Sequence, residues 1–430
     1  MKLFAPLFTD RRTGLYTIAL ALVVASLFVA RLSSAVPLNT IAIIMLALAW
    51  LAEGNFKTKF RTFKKFWVWP PILLFMLYLI GVIYSENQQA AWSSVELKLS
   101  LVMAPLLIAG SASFRKQHLA WSVFVFIWAA VITMCFAYIL ALMNGLQDDF
   151  SGGWIEMVTY ENLTRSISFQ PIYLSFYLVF AFFGLIALHL NESFRDQLFY
   201  RNKHATYPVL AFLFVGIIML SSRMEVLVLF ATGAALILFF LPSKKQRRKY
   251  GLLLMVFAIT AVGLILSSAE NRQRFTEMID ISSDYTENQY GGRSIRLHKW
   301  KNALERWSQD PVLGVGTGDL QEELNKTYAK NNFDLALQYS FNPHNQYVET
   351  LLTLGIPGFV MLLVWLWGIC LLGWRYKNWL LFAFGLIVSL SILTESMLER
   401  QWGIVFIAFF SVILMRYFYE TDIESLKIKD

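Results

Sequence analysis

Twelve apolar runs take up most of this sequence. They lie at about 15–31, 36–52, 67–84, 97–112, 119–143, 168–189, 207–221, 224–241, 251–267, 346–372, 379–394 and 402–417. Crossing a bilayer takes roughly 20 apolar residues in a helix. A helix also pairs every backbone amide within the segment, which lipid demands. The expectation is an all-α polytopic membrane protein of about twelve transmembrane helices, one domain over 1–430. Charge agrees, since 15% of the residues are charged against about 25% in soluble domains. The stretch 207–241 is too long for one span and carries Arg223 in its middle. It is read as two helices with a turn at Ser221-Ser222-Arg223.

Lysine and arginine set the predicted orientation. Most of the 37 fall in segments that alternate between runs, among them Lys57 to Lys65, Arg115-Lys116, KKQRRK at 244–249, and Arg375 with Lys377. Such segments stay cytoplasmic, which places both termini in the cytoplasm. The net charge of +8 then faces anionic lipid headgroups, and no nucleic acid partner is needed. One outside segment is long, about 268–344, and is predicted to be a partly helical periplasmic loop. No internal repeat is visible, which argues against a transporter of two matched halves. Cys135 and Cys370 lie inside apolar runs as small packing residues.

The long loop has a pattern of its own. Residues 293–308 read as a helix. Ser294 is its candidate cap, Trp300, Leu304 and Trp307 form an apolar stripe, and Asp310-Pro311 ends it. Arg293, Arg296 and Trp300 share one face. The following GVGTG at 314–318 lacks the GK[ST] of a nucleotide loop. Its glycines suit a tight turn or close backbone approach.

Polar groups at span ends are few. His344 follows Pro343 at the start of the run beginning at 346, where a neutral imidazole can accept a proton. Asn345 beside it suits a helix cap. Arg223 is an ionisable group within an apolar stretch, and such groups mark function by default. Glu225 is its candidate partner. Glu395 and Glu399, one turn apart in LTESMLERQWG, are read as structural carboxylates able to hold Arg223 or a loop arginine. Arginines near one histidine suggest an anionic substrate, because the guanidinium fork matches phosphate oxygens. No outside Asp/His cluster has metal-ligand spacing, so neither metal nor cofactor is expected.

Four stretches carry a family resemblance: SSRMEV at 221–226, RLHKWKNAL at 296–304, DPVLGVGTGDL at 310–320 and NPHNQYVETLLTLGIPGF at 342–359. Together they resemble the O-antigen ligase family, integral-membrane glycosyltransferases that include O-antigen polymerases. The residue before His344 is Pro, where many members carry a small polar residue. The resemblance implies a glycan donor on undecaprenyl diphosphate and a periplasmic active site. The acceptor for a ligase is a sugar hydroxyl of lipid A–core. His344 would be the base, with Arg223, Arg296 and Arg293 binding the diphosphate. Asn345, Trp300, Glu395 and Glu399 would support them. Transfer would be metal-independent and inverting. A polymerase would use a second lipid-linked repeat unit as acceptor, and a transporter of lipid-linked glycan is the reading from another class. The oligomeric state is not encoded in any feature of the sequence.

Overall fold

The computed structural model describes residues 5–29, 38–54, 56–147, 153–190, 203–279 and 293–420. Among these residues the regular structure is helical, with no strand. Where residues are described, most of each of the twelve apolar runs is helical. Eight helices are long and apolar enough to cross a membrane: Phe66–Ile83, Gln88–Ala109, Gln117–Leu146, Pro171–Leu190, Arg223–Phe240, Lys244–Ser267, Gln346–Arg375 and Gln401–Phe418. The apolar helices Leu38–Ala52, Thr206–Met219 and Trp379–Ser391 are shorter, as is Arg11–Ser26. At 1.5 Å per residue, such lengths fall short of a hydrocarbon core about 30 Å thick. Among the described residues, eight of the expected twelve thus qualify by length and composition.

The bundle is centred on Pro171–Leu190 and Gln401–Phe418, whose side chains are mostly buried. Phe126, Phe180, Phe406 and Phe410 meet there with ring centroids 5.0 to 5.5 Å apart. Lipid tails are as apolar as these rings, so close packing rather than water exclusion holds such a core. Lys244–Ser267 lies at the periphery with almost none of its surface covered.

Three connections gather at one end of the bundle, where the long loop docks. The turn between Thr206–Met219 and Arg223–Phe240 is tight, with Ser221 at φ +53°, as the sequence predicted. Asp319 of the loop accepts the backbone N–H groups of Glu86 and Asn87, each at 2.8 Å. Asn87 in turn caps Gln88–Lys98. The third connection is the turn 392–400 before the last helix.

The loop carries helices Ala269–Ile279, Arg293–Trp307, Leu320–Lys330 and Asp334–Gln338. It has a small core of Ile295, Ala303, Leu324, Tyr328 and Phe333, to which Leu352 of Gln346–Arg375 also belongs. The face of Arg293–Trp307 that packs differs from the predicted stripe. Ile295, Lys299, Asn302 and Ala303 are buried, whereas Leu304 is exposed, because the loop core lies on the side of Ala303.

The glycine segment staples this loop to the membrane helix. Gly355 has φ +63° and breaks the helix Gln346–Arg375. The carbonyls freed at Leu352 and Thr353 accept the N–H groups of Val315 and Gly316 at 2.9 and 3.0 Å. A Cβ on Gly355 would run into the carbonyl of Val312. Pro357 is tolerated because the break has already rerouted the local backbone bonds.

Candidate active site

A cavity of about 480 Å³ opens between the turn at Ser222-Arg223, the turn 392–400 and the loop helices. Its wall includes Arg223, Arg274, Arg296, Arg400, His344 and Glu395. Four guanidinium groups thus converge from four different elements. Arg223 starts its helix directly after the Ser221-Ser222 turn. Arg296 comes from the loop helix Arg293–Trp307. Arg274 comes from Ala269–Ile279 and Arg400 from the residue preceding the last helix.

Local contacts explain how Arg274 arrives. The Ser221 hydroxyl bonds Asn271, which is buried. One turn further on, Arg274 Nε donates to the Ser221 carbonyl at 3.4 Å. Its guanidinium lies 3.3 Å from the centroid of the Tyr160 ring, a cation–π contact that fixes the plane of the fork. One short turn therefore orders both Arg223 and Arg274.

The arginines load the cavity with positive charge. Burial first, then Arg223, push Arg296 below the usual arginine range. Arg274 acts in the same direction, and Glu395 opposes it. Like charges held together in this way favour an anion that neutralises them. Burial, then Arg296, also bring the Lys299 ammonium down to about 7; Glu395 and Glu349 oppose that shift.

His344 sits at the edge of this field. Its backbone is left-handed, φ +47°, and the helix starts two residues later, at Gln346. Asn345 is the cap, accepting the N–H groups of Tyr347 and Val348 at 3.0 and 3.2 Å. Trp300 Nε1 donates to the Pro343 carbonyl at 3.0 Å, which ties the histidine loop to the helix bearing Arg296.

The two glutamates divide differently from the expectation. Glu395 was read as a partner for an arginine, but its carboxylate lies 3.1 Å from His344 Nδ1. Glu399 lies outside the cavity wall and pairs with Lys98 at 2.7 Å. The reason is the local fold: 397–399 is a short 3-10 turn, not part of a span, so the two carboxylates diverge. Glu225 does not pair with Arg223 either. It is buried and accepts the Ser391 hydroxyl at 3.0 Å. Arg293 begins its helix, but its side chain lies outside the described residues.

Gln346 clamps the turn that carries Glu395. Its backbone N–H donates to the Ile392 carbonyl at 2.9 Å. Its side-chain carbonyl accepts the Leu398 N–H at 2.7 Å, and its amide approaches Glu399 at 3.4 Å. Lys98, fully buried, completes the clamp from a helix distant in sequence. Sequence reading missed Arg274, Tyr160 and Lys98 as members of this assembly. The signal for Arg274 was ENRQRF at 270–275, a polar helix start directly after an apolar run.

Fold and cavity together define a polytopic helical membrane protein with an arginine-lined cavity and, on its wall, a histidine beside a carboxylate. Residues 208–363 match the family model described as O-antigen ligase. The chain carries an O-antigen ligase family domain over that stretch, which includes Arg223, Arg274, Arg296 and His344. Glu395 and Arg400 lie beyond it. No curated protein matches the chain.

Proposed function

We propose that the protein is a membrane glycosyltransferase of the O-antigen ligase type, active on the periplasmic face of the bacterial inner membrane with both termini cytoplasmic. In this reading the shorter apolar helices join the eight to make about twelve spans. The donor is a glycan on undecaprenyl diphosphate and the acceptor a sugar hydroxyl of lipid A–core. The observation that carries the reading is the cavity itself, which puts four arginines and one oriented histidine on a common wall.

The chemistry follows from the side chains. A carboxylate oxygen only accepts, so Glu395 keeps the proton of His344 on Nδ1 and leaves Nε2 as the acceptor. Nε2 takes the proton of the acceptor hydroxyl as its oxygen attacks the anomeric carbon. The bond from that carbon to the diphosphate oxygen breaks, and the electron pair leaves with undecaprenyl diphosphate. Arg223, Arg274, Arg296 and Arg400 stabilise the charge that develops on the leaving group. Direct displacement inverts the anomeric centre.

The test offers purified protein a defined undecaprenyl-diphosphate glycan with either lipid A–core or a second lipid-linked unit. Glycan on lipid A–core, with the anomeric configuration inverted, supports the ligase. Product on the lipid-linked unit alone makes it a polymerase. Donor bound without transfer to either acceptor returns the transporter reading.

A further inference from the structure

A stacked aromatic pair, Tyr339 exposed and Phe341 half-buried, stands beside His344 but outside the arginine cavity. Tyr339 and Phe341 stack with ring centroids 5.7 Å apart and planes 18° apart. The Phe341 ring centroid lies 6.5 Å from that of the His344 imidazole. Neither aromatic residue belongs to the cavity wall. Tyr339 is 49% exposed.

The segment is held from beneath. The Phe341 N–H donates to the Ala336 carbonyl at 3.0 Å, and the Tyr339 N–H to that of Leu335 at 3.2 Å. The Tyr328 hydroxyl donates to the Phe341 carbonyl at 3.1 Å. Ser340 between the rings has φ +46°, which turns both side chains to the same side. Lys299 Nζ lies 4.9 Å from the Phe341 ring, so Phe341 is a fixed backing and Tyr339 is the ring that meets solvent.

This placement fits what the reaction still needs. An in-line displacement brings the acceptor from the side opposite the leaving diphosphate. The arginines share a cavity wall with His344, and the aromatic pair adjoins the histidine from outside that wall. One face of a pyranose ring presents C–H groups, which pack on the electron-rich face of an aromatic ring while the hydroxyls stay hydrated. We propose that Tyr339, backed by Phe341, is the acceptor subsite and stacks a sugar ring of the acceptor saccharide. The inference rests on the glycosyltransferase reading and names the surface that reading leaves open. The saccharide chemistry is common to a lipid A–core sugar and a lipid-linked repeat unit.

The experiment measures acceptor KM, donor KM and kcat for wild type, Tyr339→Ala, Tyr339→Phe and Tyr339→Trp, with each of the two acceptors. Tyr339→Ala is expected to raise the KM of the acceptor that the enzyme uses by about tenfold, with donor KM unchanged. Tyr339→Phe and Tyr339→Trp retain near-wild-type KM, because they keep the aromatic face. The acceptor that shows the effect identifies its source. An unchanged acceptor KM in Tyr339→Ala, with wild type active, overturns the subsite and leaves the glycosyltransferase reading standing. Absence of transfer by wild type to both acceptors overturns the reading and the subsite together.

Discussion

His344 Nδ1 lies 3.1 Å from a carboxylate oxygen of Glu395, although 51 residues separate them in sequence. The pairing gives the imidazole one fixed tautomer and directs its other nitrogen to accept a proton. Glu395→Gln keeps the shape but can present an amide N–H to Nδ1, which selects the wrong tautomer. The expected result is a fall in kcat on the order of 100-fold with donor KM little changed. Steady-state kinetics at saturating donor measure it.

Arg296→Lys and Arg274→Lys keep the charge and lose the planar fork. For Arg274 the stacking on Tyr160 is lost as well. Each charge-assisted contact is worth about 1.5–3 kcal/mol, so donor KM is expected to rise roughly 10- to 100-fold. Direct binding of undecaprenyl diphosphate checks the same quantity without turnover.

Lys98→Met removes the buried partner of Glu399. An uncompensated charge in a buried pair costs about 3–5 kcal/mol. The thermal midpoint in detergent should fall clearly. Lys98→Met combined with Glu399→Met is expected to recover part of that loss, because neither charge is then stranded.

Lys299 gives the fold a pH signature. Burial, then Arg296, bring its pKa down to about 7 from the usual 10.5. Between these values the unfolded chain holds the proton and the folded chain does not, so this residue makes stability rise with pH. At and below pH 7 the native state carries the full cost of the buried ammonium. Lys299→Met should therefore raise the thermal midpoint most at low pH and flatten its climb between pH 7 and 10. Thermal scans of the two proteins across that range decide it.

Gly355→Ala places a Cβ against the Val312 carbonyl at a left-handed backbone position. Strain of this kind costs about 1–3 kcal/mol before the clash is counted. The loop should lift from the broken helix, seen as faster limited proteolysis between 312 and 340 than in wild type.

The apolar runs were legible because lipid imposes a length and a composition on each crossing helix. The turn at Ser221-Ser222-Arg223 was legible because a charged residue interrupts one of them. Which helices are long enough to cross was less so, since capping and turns trimmed Thr206–Met219 and Trp379–Ser391. His344 and Arg223 stood out as polar groups at span ends, and Arg296 as a basic residue on the loop helix. Arg274 did not, because its place depends on the carbonyl of Ser221, 53 positions away. Nor did the partition of Glu395 and Glu399, which is decided by His344 and by Lys98, 301 positions distant. Spacing of four suggested one helix face, and a 3-10 turn with two distant partners decided otherwise.

The most direct test of the account compares wild type with His344→Ala in lipid nanodiscs, measuring donor binding and glycan transfer on the same samples. The account predicts that the variant binds the undecaprenyl-diphosphate glycan as wild type does, through its arginines, while transfer falls by at least about 100-fold. Transfer at the wild-type rate by a folded His344→Ala protein would contradict it.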